Sequence, residues 1–291
     1  MTKQIYKALA IDGGGTKCRL ALVSDTGFEA VVSGSANASS DFDGTVHSIT
    51  LGLDSLASHL SMPLQTITDL PAYVGAAGVV DAFIAERLRA ALPFTHMKIE
   101  DDRPSALCGA LGLDDGLIAH CGTGSFFAAQ NKGVQKFVGG WGPRLDDVGA
   151  AYWIGMRALT ETLYAFDALV AHSDMTEALL KEYGGTGAIV SYAAHASPID
   201  IAQLAQHVTW YAEQDDANAI RILKQGASLV AEKLTQLGWS EGKTVCLTGG
   251  LAGHYKPYLS ASLQSDVAHP KGEPLDGAVV LARKLLMELS A

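Results

Sequence analysis

Two glycine-rich turns, each placed between a pair of predicted strands, have the residue types and spacing of phosphate-binding sites. An apolar strand leads to Asp12 and the first turn, and residues 18–24 then alternate as a second strand. The second turn repeats this arrangement between strands 117–121 and 126–129. The first turn contains Gly13, Gly14, Gly15, Thr16 and Lys17, and the second contains Gly122, Thr123, Gly124 and Ser125. Because backbone N–H groups in such turns bind anions, the repeat predicts two related half-domains that each bind part of a polyphosphate.

The turns differ from the common nucleotide-binding motifs. In a dinucleotide-binding fingerprint or a P-loop the glycine turn begins a helix, whereas here it begins a strand, and the pattern GxxxxGK[ST] is absent. A third turn, with Gly249 and Gly250, follows the strand predicted over 243–246 and indicates a helix start. It could pack glycine backbone against an adenine or a ribose. Each turn taken singly could also be an ordinary tight turn, but the order of the three favours a nucleotide site.

Carboxylates follow two of the predicted strands. Asp12 ends the first strand at the glycine turn, where it could hold a metal-bound water against a triphosphate or simply stabilise the turn. Asp101 and Asp102 follow the strand predicted over 97–100 and precede a helix. Adjacent side chains point in different directions, so only one of these two acids can face a substrate. Asp101 could instead cap the helix or face water.

The composition suits a protein of two lobes that binds a small anionic molecule. The chain of 291 residues is long for one core, and its apolar fraction of 48% supports a complete fold. The net charge of −10 argues against nucleic acid or an anionic membrane as a partner. An anionic nucleotide must then be held locally by backbone amides and a divalent cation, so we expect Mg²⁺.

Neither a targeting segment nor a membrane span is indicated. The N-terminus passes straight into the first strand, and no apolar run reaches membrane-spanning length, so we expect a cytoplasmic location. The histidines, among them His120, lack metal-ligand spacing and are interpreted as structural or surface residues. The cysteines stand singly without a CxxC pair, which predicts buried reduced thiols at Cys18, Cys108, Cys121 and Cys246.

The order of elements predicts an α/β protein with its first lobe over residues 1–111 and its second over 112–276. The first lobe is predicted to hold three strands to Ser33, a helix over 44–61, a strand over 72–75, a helix over 79–92, a strand over 97–100 and a helix after Pro104. The second is predicted to hold the second turn, a helical stretch over 147–238 broken at 184–185 and 197–198, and a strand at Val245. The final helix, 277–291, is expected to return to the first lobe.

The turns and their order resemble those of the actin-like ATPase and sugar kinase superfamily. Within it, the chain is similar to the branch of N-acetylglucosamine kinases, glucosamine kinases and BadF/BadG/BcrA/BcrD-type ATPases, from Asp12 to the final helix. The similarity is most specific at 139–143 and 147–155, which resemble the GGWG segment, helix start and Tyr-Trp pair of amino-sugar kinases. The resemblance implies two ribonuclease-H-like lobes with an interlobe cleft, an ATP- and Mg²⁺-dependent transfer of phosphate to the 6-hydroxyl of an amino sugar, and a homodimer.

The resemblance also implies roles for single residues. Asp102, followed by Arg103 and Pro104, matches the general base of the amino-sugar kinases and is therefore preferred over Asp101. Asn37 matches a sugar-binding segment, although a loop asparagine in left-handed conformation is an equal alternative. Asp147 matches an acid that contacts sugar hydroxyls, which is compatible with a residue placed at a helix N-terminus. The other residues assigned to the substrate are Gly75, which could equally form a plain turn, and Ser125, Gly140, Trp141 and Gly142.

Two departures from the family pattern leave the exact sugar open. Asp146 stands where the kinases have glycine, and Val148 stands where they have glutamate. The residues after Asn37 lack an aromatic side chain found in some N-acetylglucosamine kinases, so unacetylated glucosamine is also considered. Two other functions stay open: an ATPase that activates a reductase through a cysteine-bound iron–sulfur cluster, and a non-catalytic nucleotide or sugar sensor. The scattered cysteines count against the first, and the retained Asp12 and Asp102 against the second.

Overall fold

Residues 5–290 are described by the computed structural model of the chain, and they divide into two units. Unit 1 contains the residues up to Leu113 and those from Pro270 onward, and unit 2 contains Asp114–His269. The second lobe was predicted to begin at residue 112, and the chain was predicted to return to the first lobe at residue 277. These boundaries remain predictions. The outermost residues of the predicted first lobe, 1–4 and 291, lie outside the described part of the chain.

Unit 1 is built on a mixed five-stranded sheet in the order β3-β2-β1-β4-β5. The first three strands pair antiparallel, whereas β4 and β5 run parallel to β1, so that the carboxyl ends of β1, β4 and β5 share one edge. The strands are β1 (Tyr6–Gly13), β2 (Cys18–Ser24), β3 (Phe28–Ser33), β4 (Ala72–Ala76) and β5 (Met97–Glu100). The helices are α1 (Phe42–Leu60), α2 (Leu64–Thr68), α3 (Ala82–Ala91), α4 (Arg103–Leu111) and, at the end of the chain, α11 (Pro274–Ser290).

Residue size decides which helix covers which face of this sheet. Large residues such as Leu9 and Ile11 pack with α1 on one face. Alternate residues such as Ala8 and Ala10 lie on the other face, where α11 packs. The small alanines let α11 lie close to the sheet. Asp12 is the next even-numbered residue of β1, so it continues the face that α11 covers.

Unit 2 repeats the mixed five-stranded sheet in the order β10-β9-β6-β7-β8 and adds a set of helices. Its main core joins the sheet to α5, α8 and α9. The strands are β6 (Gly116–Cys121), β7 (Ser125–Asn131), β8 (Val134–Gly139), β9 (Val245–Thr248) and β10 (Val267–Ala268). The helices are α5 (Ala151–Phe166), α6 (Asp174–Tyr183), α7 (Thr186–His195), α8 (Pro198–Ala212), α9 (Ala217–Gln236) and α10 (Ala261–Asp266), with a 3₁₀ helix over Ala252–Tyr258. The predicted α/β class with two related sheets is confirmed.

Several helix boundaries differ from the predictions, and capping explains two of them. Helix α1 begins at Phe42, two residues earlier than predicted, because the carboxylate of Asp41 accepts from Gly44 N. Helix α3 begins at Ala82, because Asp81 accepts from Ile84 N at 2.8 Å. The helical stretch predicted from residue 147 begins only at Ala151. The same stretch has additional breaks after α5 and after α8.

All four cysteines are free and buried, each in a separate strand or helix, as predicted. Within residues 5–290, the structure holds no helix with the length and apolar character needed to cross a membrane.

Candidate active site

Hairpin 1, the turn 13–17 between β1 and β2, is fixed by hydrogen bonds to two other segments of unit 1. Gly14 N donates to Lys17 O at 2.9 Å and closes the turn. The carbonyls of Gly14 and Gly13 accept from Ala36 N and Ala77 N at 2.8 and 2.7 Å. In the described part of the chain, no hydrogen-bond acceptor contacts the amides of Gly15 and Thr16, which are exposed. Hairpin 1 therefore offers two successive free N–H donors, as an anion site requires.

The Asn37 segment and the end of β4 lie beside hairpin 1. Ala38 N donates to Ala77 O at 2.8 Å, and Asn37 bridges to Ala77. The Asn37 side-chain oxygen accepts from Ser39 and from Ser40 N, so it stabilises the local turn. The alternative of a left-handed asparagine is wrong, since Asn37 is not among the described residues with positive φ. No described residue accepts from its side-chain NH₂ group, which leaves that donor free for a ligand.

Gly75 and Gly78 have packing reasons to lack a side chain. A Cβ on Gly75 would lie 2.6 Å from Ser105 Oγ, and one on Gly78 would lie 2.3 Å from Asn37 Oδ1. Gly78 also has a φ of 77°. The small residues at the end of β4 thus allow α4 and the Asn37 segment to approach the same edge of the sheet.

Asp12 forms an ion pair that the sequence analysis did not anticipate. Arg19 lies directly opposite on β2, and its Nε and one terminal nitrogen donate to Asp12 Oδ2 at 2.9 and 2.6 Å. The carboxylate is buried, and burial raises the pKa of Asp12 while Arg19 opposes that shift. Because the turn places residue 13 opposite residue 18, counting outward from it would have identified this pair.

The two adjacent acids after β5 have different environments. Asp101 accepts from Arg103 N and Nε through one oxygen and from an Arg103 terminal nitrogen through the other, so it is paired with the first residue of α4. Among the described side chains, none donates a hydrogen bond to the Asp102 carboxylate. Burial first, and then the negative charges of Asp101 and Asp12, raise the pKa of Asp102 to about 7. Asp102 is therefore the carboxylate of the pair that is free to exchange a proton near neutral pH.

Hairpin 2, the turn 122–124 between β6 and β7, has the same free donors in unit 2. Gly122 N donates to Gly124 O at 2.9 Å, and Gly122 O accepts from Ala151 N at 2.9 Å. In a trans peptide the C=O and the following N–H point in opposite directions, so the Thr123 N–H points away from α5. No acceptor within the described residues contacts the amides of Thr123 and Gly124.

Asp147 connects hairpin 2 to the loop that contains Gly140, Trp141 and Gly142. Its carboxylate is buried and accepts from Ser125 N at 3.3 Å and from Gly142 N. Burial raises the pKa of Asp147 and the Ser125 amide opposes the shift. Asp147 is not part of the helix N-terminus: it has a φ of 57° and lies four residues before α5 begins.

The other residues of this loop and of hairpin 2 differ in accessibility. Gly140 and Trp141 are exposed, with 66% of the Trp141 surface accessible. Ser125 is buried, and its hydroxyl donates to Val148 O at 2.9 Å. Trp141 can therefore contact a ligand directly, whereas the Ser125 hydroxyl already has an acceptor.

The third glycine turn lies against hairpin 2. Gly249 has a φ of 82°, and a Cβ there would lie 2.4 Å from Cys121 O. The turn leads into the 3₁₀ helix, which confirms a helical segment after it but not an α-helix. His120 adds a second link, because its Nδ1 lies 3.1 Å from Thr248 Oγ1. Burial lowers the pKa of His120 to about 4, so the ring is neutral at pH 7.

The residues present fit ATP and a magnesium ion, although the described residues hold no cluster of three or more metal-ligating side chains. Mg²⁺ bound with a nucleotide takes most of its ligands from phosphates and water and needs only one or two carboxylates. Asp12 supplies such a carboxylate, with no described donor to its Oδ1. The free amides of the two hairpins are donors of the kind that bind anions.

The structure groups the predicted site residues by unit. Unit 1 brings together hairpin 1, Asp12, Asn37, the end of β4 and Asp102. Unit 2 brings together hairpin 2, Asp147, the 140–142 loop and Gly249 with Gly250. The residues that the sequence analysis missed are Arg19, its second partner Glu273, and the His120–Thr248 pair.

Comparison with known proteins identifies a family and several similar relatives. The profile of the BadF/BadG/BcrA/BcrD ATPase family matches residues 9–282. The chain is 26% identical to a glucosamine kinase of Vibrio cholerae over 284 residues, 95% of either chain. It is 26% identical over 302 aligned positions to an N-acetylmuramic acid/N-acetylglucosamine kinase of Clostridium acetobutylicum, covering 94% of this chain and 97% of that one. The crystal structure of a provisionally named N-acetylglucosamine kinase from Chromobacterium violaceum matches with a TM-score of 0.84 and 26% identity, over 97% of this chain and 99% of that one.

Proposed function

The chain belongs to the BadF/BadG/BcrA/BcrD ATPase family and has the actin-like ATPase and sugar kinase fold, and from this membership we propose that it is an ATP-dependent amino-sugar kinase. The reaction that we propose transfers the γ-phosphoryl group of ATP to the 6-hydroxyl of N-acetylglucosamine or glucosamine. Relatives named as kinases of these sugars, similar over nearly the whole chain, support this substrate class.

The observation that carries the proposal is the state of Asp102. A general base must be able to take a proton at the working pH, and a pKa of about 7 meets that need. Its carboxylate receives no donor from a described side chain, in contrast to that of Asp101. It also lies close enough to Asp12 for the two charges to interact. Asp102 would accept the proton of the sugar hydroxyl as the hydroxyl attacks phosphorus.

The glycine turns would hold the nucleotide. The free amides of hairpin 1 and those of hairpin 2 would each donate to phosphate oxygens, with Thr16 and Lys17 as further phosphate ligands. Asp12 would hold Mg²⁺, which neutralises the charge on the phosphates when it is bound. Gly249 and Gly250 would place backbone against the adenosine. Since the reaction consumes ATP, we propose that the protein acts in the cytoplasm.

The residues proposed for the sugar have groups available to it. Asn37 would donate its free NH₂ group to a sugar oxygen, and the backbone at Gly75 would approach the ring. Asp147 would accept from sugar hydroxyls, and Trp141, between Gly140 and Gly142, would supply an exposed aromatic surface. Ser125 would act through its amide contact with Asp147.

The proposed function predicts sugar-dependent release of ADP. With ATP and Mg²⁺, we expect ADP to form with N-acetylglucosamine or glucosamine well above the rate in buffer, and to form less with glucose. N-acetylmannosamine and N-acetylmuramic acid complete the panel, and product analysis would locate the phosphate on the 6-hydroxyl. ADP release that does not depend on sugar would contradict the kinase and support an ATPase.

The two other functions are outcomes of the same measurement. A reductase activator needs thiolates at an accessible surface to bind an iron–sulfur cluster, whereas all four cysteines are buried. Iron and colour in the purified protein would support it nonetheless. A sensor would bind nucleotide or sugar and release no ADP with any sugar of the panel.

We also propose that the protein is a homodimer that associates through the helices of unit 2. Apolar side chains are exposed on three of these helices. Val190 lies on α7, and Ile199 and Trp210 lie near the start and the end of α8. Phe166 is the last residue of α5, and all four side chains are more than half accessible. Light scattering should give twice the chain mass of 30.5 kDa. A mass of one chain at micromolar concentration would contradict the dimer.

A further inference from the structure

Arg19 is placed by strand register to act on one oxygen of Asp12. The two residues face each other across the β1–β2 pair, and both side chains are about nine-tenths buried. Arg19 donates twice to Asp12 Oδ2. Within the described residues Oδ1 receives no donor, so the pair leaves one carboxylate oxygen in a fixed position without a protein partner.

Arg19 is itself fixed from the other end of the chain. Its remaining terminal nitrogen donates to Glu273, the residue directly before α11. The backbone of Glu273 is held in turn, because its N–H donates to Asp276 in the first turn of α11 at 2.8 Å, whereas its side chain is 71% exposed. Glu273 O also lies where a Cβ on Gly109 of α4 would be, so α4 and the start of α11 are in close contact. The guanidinium therefore has a carboxylate on two of its sides, the buried one of Asp12 and the exposed one of Glu273.

We propose that Arg19 is a positioning residue for the metal-nucleotide complex. It holds Asp12 by Oδ2 so that Oδ1 remains the oxygen available to the cation or its water, and Glu273 holds Arg19. A planar guanidinium is suited to this because it donates to two carboxylates at once, which an ammonium group does not do in the same geometry. The inference rests on the proposed function, since it assigns Arg19 to a metal-dependent ATP site.

The test measures cation binding directly, with Mn²⁺ in place of Mg²⁺ and a non-hydrolysable ATP analogue. Water proton relaxation reports bound Mn²⁺ without any turnover. We expect Arg19→Met to weaken Mn²⁺ binding in the presence of the analogue by about tenfold or more, the usual effect of removing a partner of a metal ligand. Binding of the analogue in EDTA should change less than twofold. Arg19→Lys should lie between Arg19→Met and the wild type, and Glu273→Ala should weaken Mn²⁺ binding by a smaller factor than Arg19→Met.

Arg221→Met is the matched control. Arg221 also pairs with a buried carboxylate, that of Glu161, but in unit 2 and on helices that carry no proposed site residue. We expect it to lower the melting temperature without changing Mn²⁺ affinity. Equal weakening by Arg221→Met, or unchanged Mn²⁺ binding in Arg19→Met, would overturn the inference.

Arg19→Lys, Glu273→Ala and the wild-type protein test separate parts of the inference. If Arg19→Met does not fold, Arg19→Lys replaces it, and wild-type Mn²⁺ affinity in that variant would overturn the role of the guanidinium. Unchanged affinity in Glu273→Ala would overturn the anchoring by Glu273. If the wild-type protein itself binds no Mn²⁺ with the analogue, the proposed kinase function fails, which is distinguishable from failure of the variants alone.

Discussion

Replacing Asp102 with asparagine is expected to lower kcat by at least about a hundredfold, equivalent to about 2.7 kcal/mol of activation free energy. Asparagine has nearly the same shape but cannot accept the proton of the attacking hydroxyl. Nucleotide binding should be retained, since the amides of hairpins 1 and 2 are unchanged. The measurement is kcat from ADP release, together with calorimetric titration of ADP. Near-normal kcat in this variant would move the base to Asp101 or Asp147.

The pH dependence gives a second view of the same residue. The base acts in its ionised form, so activity of the wild-type protein should rise with pH through about 7 and fall below it. The residual activity of Asp102→Asn should lack this step. A profile of kcat/KM for ATP that is flat between pH 6 and 8 would contradict a base with this raised pKa, because kcat/KM reports the pKa values of the free enzyme.

Asp101→Asn is the matched control for both measurements. Its side chain pairs with Arg103 and accepts from the Arg103 N–H, and its charge contributes to the raised pKa of Asp102. Removing that charge should move the midpoint of the pH profile to lower pH and leave kcat within a few-fold of the wild type. A loss in Asp101→Asn as large as in Asp102→Asn would show that the two acids had been assigned the wrong way round.

The sequence predicted well those elements whose signals are local. Alternating apolar residues with glycine turns gave β2 and β3 their correct bounds, and β5 was likewise found at 97–100. These strands place hairpin 1 and the acids after β5 on one sheet edge, because β1, β4 and β5 run parallel. The position of Asp102 at that edge therefore follows from strand order.

Other features depend on contacts that a local pattern does not contain. Glu273 reaches Arg19 across 254 residues, and no spacing rule connects them. Asp147 was read as part of a helix start, but its carboxylate takes the Ser125 and Gly142 amides instead, and the chain adopts a positive φ to allow this. An aspartate tolerates that conformation better than most residues. Tertiary hydrogen bonds therefore determine the backbone conformation at Asp147.

The assignment of glycines shows the same division. Gly75 was predicted to leave room for a ligand, and the structure shows that it also leaves room for Ser105 of α4. The sequence shows that residue 75 lacks a side chain, but it does not show that Ser105 Oγ occupies the space. Gly249 and Gly250 are adjacent glycines with different surroundings. A Cβ on Gly249 would collide with Cys121 O, whereas a Cβ on Gly250 would meet no atom within 4 Å.

Gly249→Ala is expected to lower kcat/KM for ATP by about a hundredfold. The new Cβ would lie 2.4 Å from Cys121 O and 2.9 Å from Gly122 N, so the turn or hairpin 2 must move by about an ångström. A displacement of this size at a reacting site costs about a hundredfold. The φ of 82° adds strain, about 1–2 kcal/mol for a residue with a Cβ. Steady-state kinetics at varied ATP and saturating sugar measure the effect.

Gly250→Ala separates this local displacement from a general loss of glycine. No atom lies within 4 Å of a Cβ at Gly250, and its φ is not positive, so the alanine fits without moving hairpin 2. Gly250 is itself proposed to face the adenosine, so we expect some loss of kcat/KM for ATP, but a smaller one than in Gly249→Ala because hairpin 2 keeps its position. Similar large losses in both variants would show that the nucleotide itself contacts Gly250. Normal kinetics in Gly249→Ala would show that hairpin 2 does not bind phosphate in the conformation that Gly249 supports.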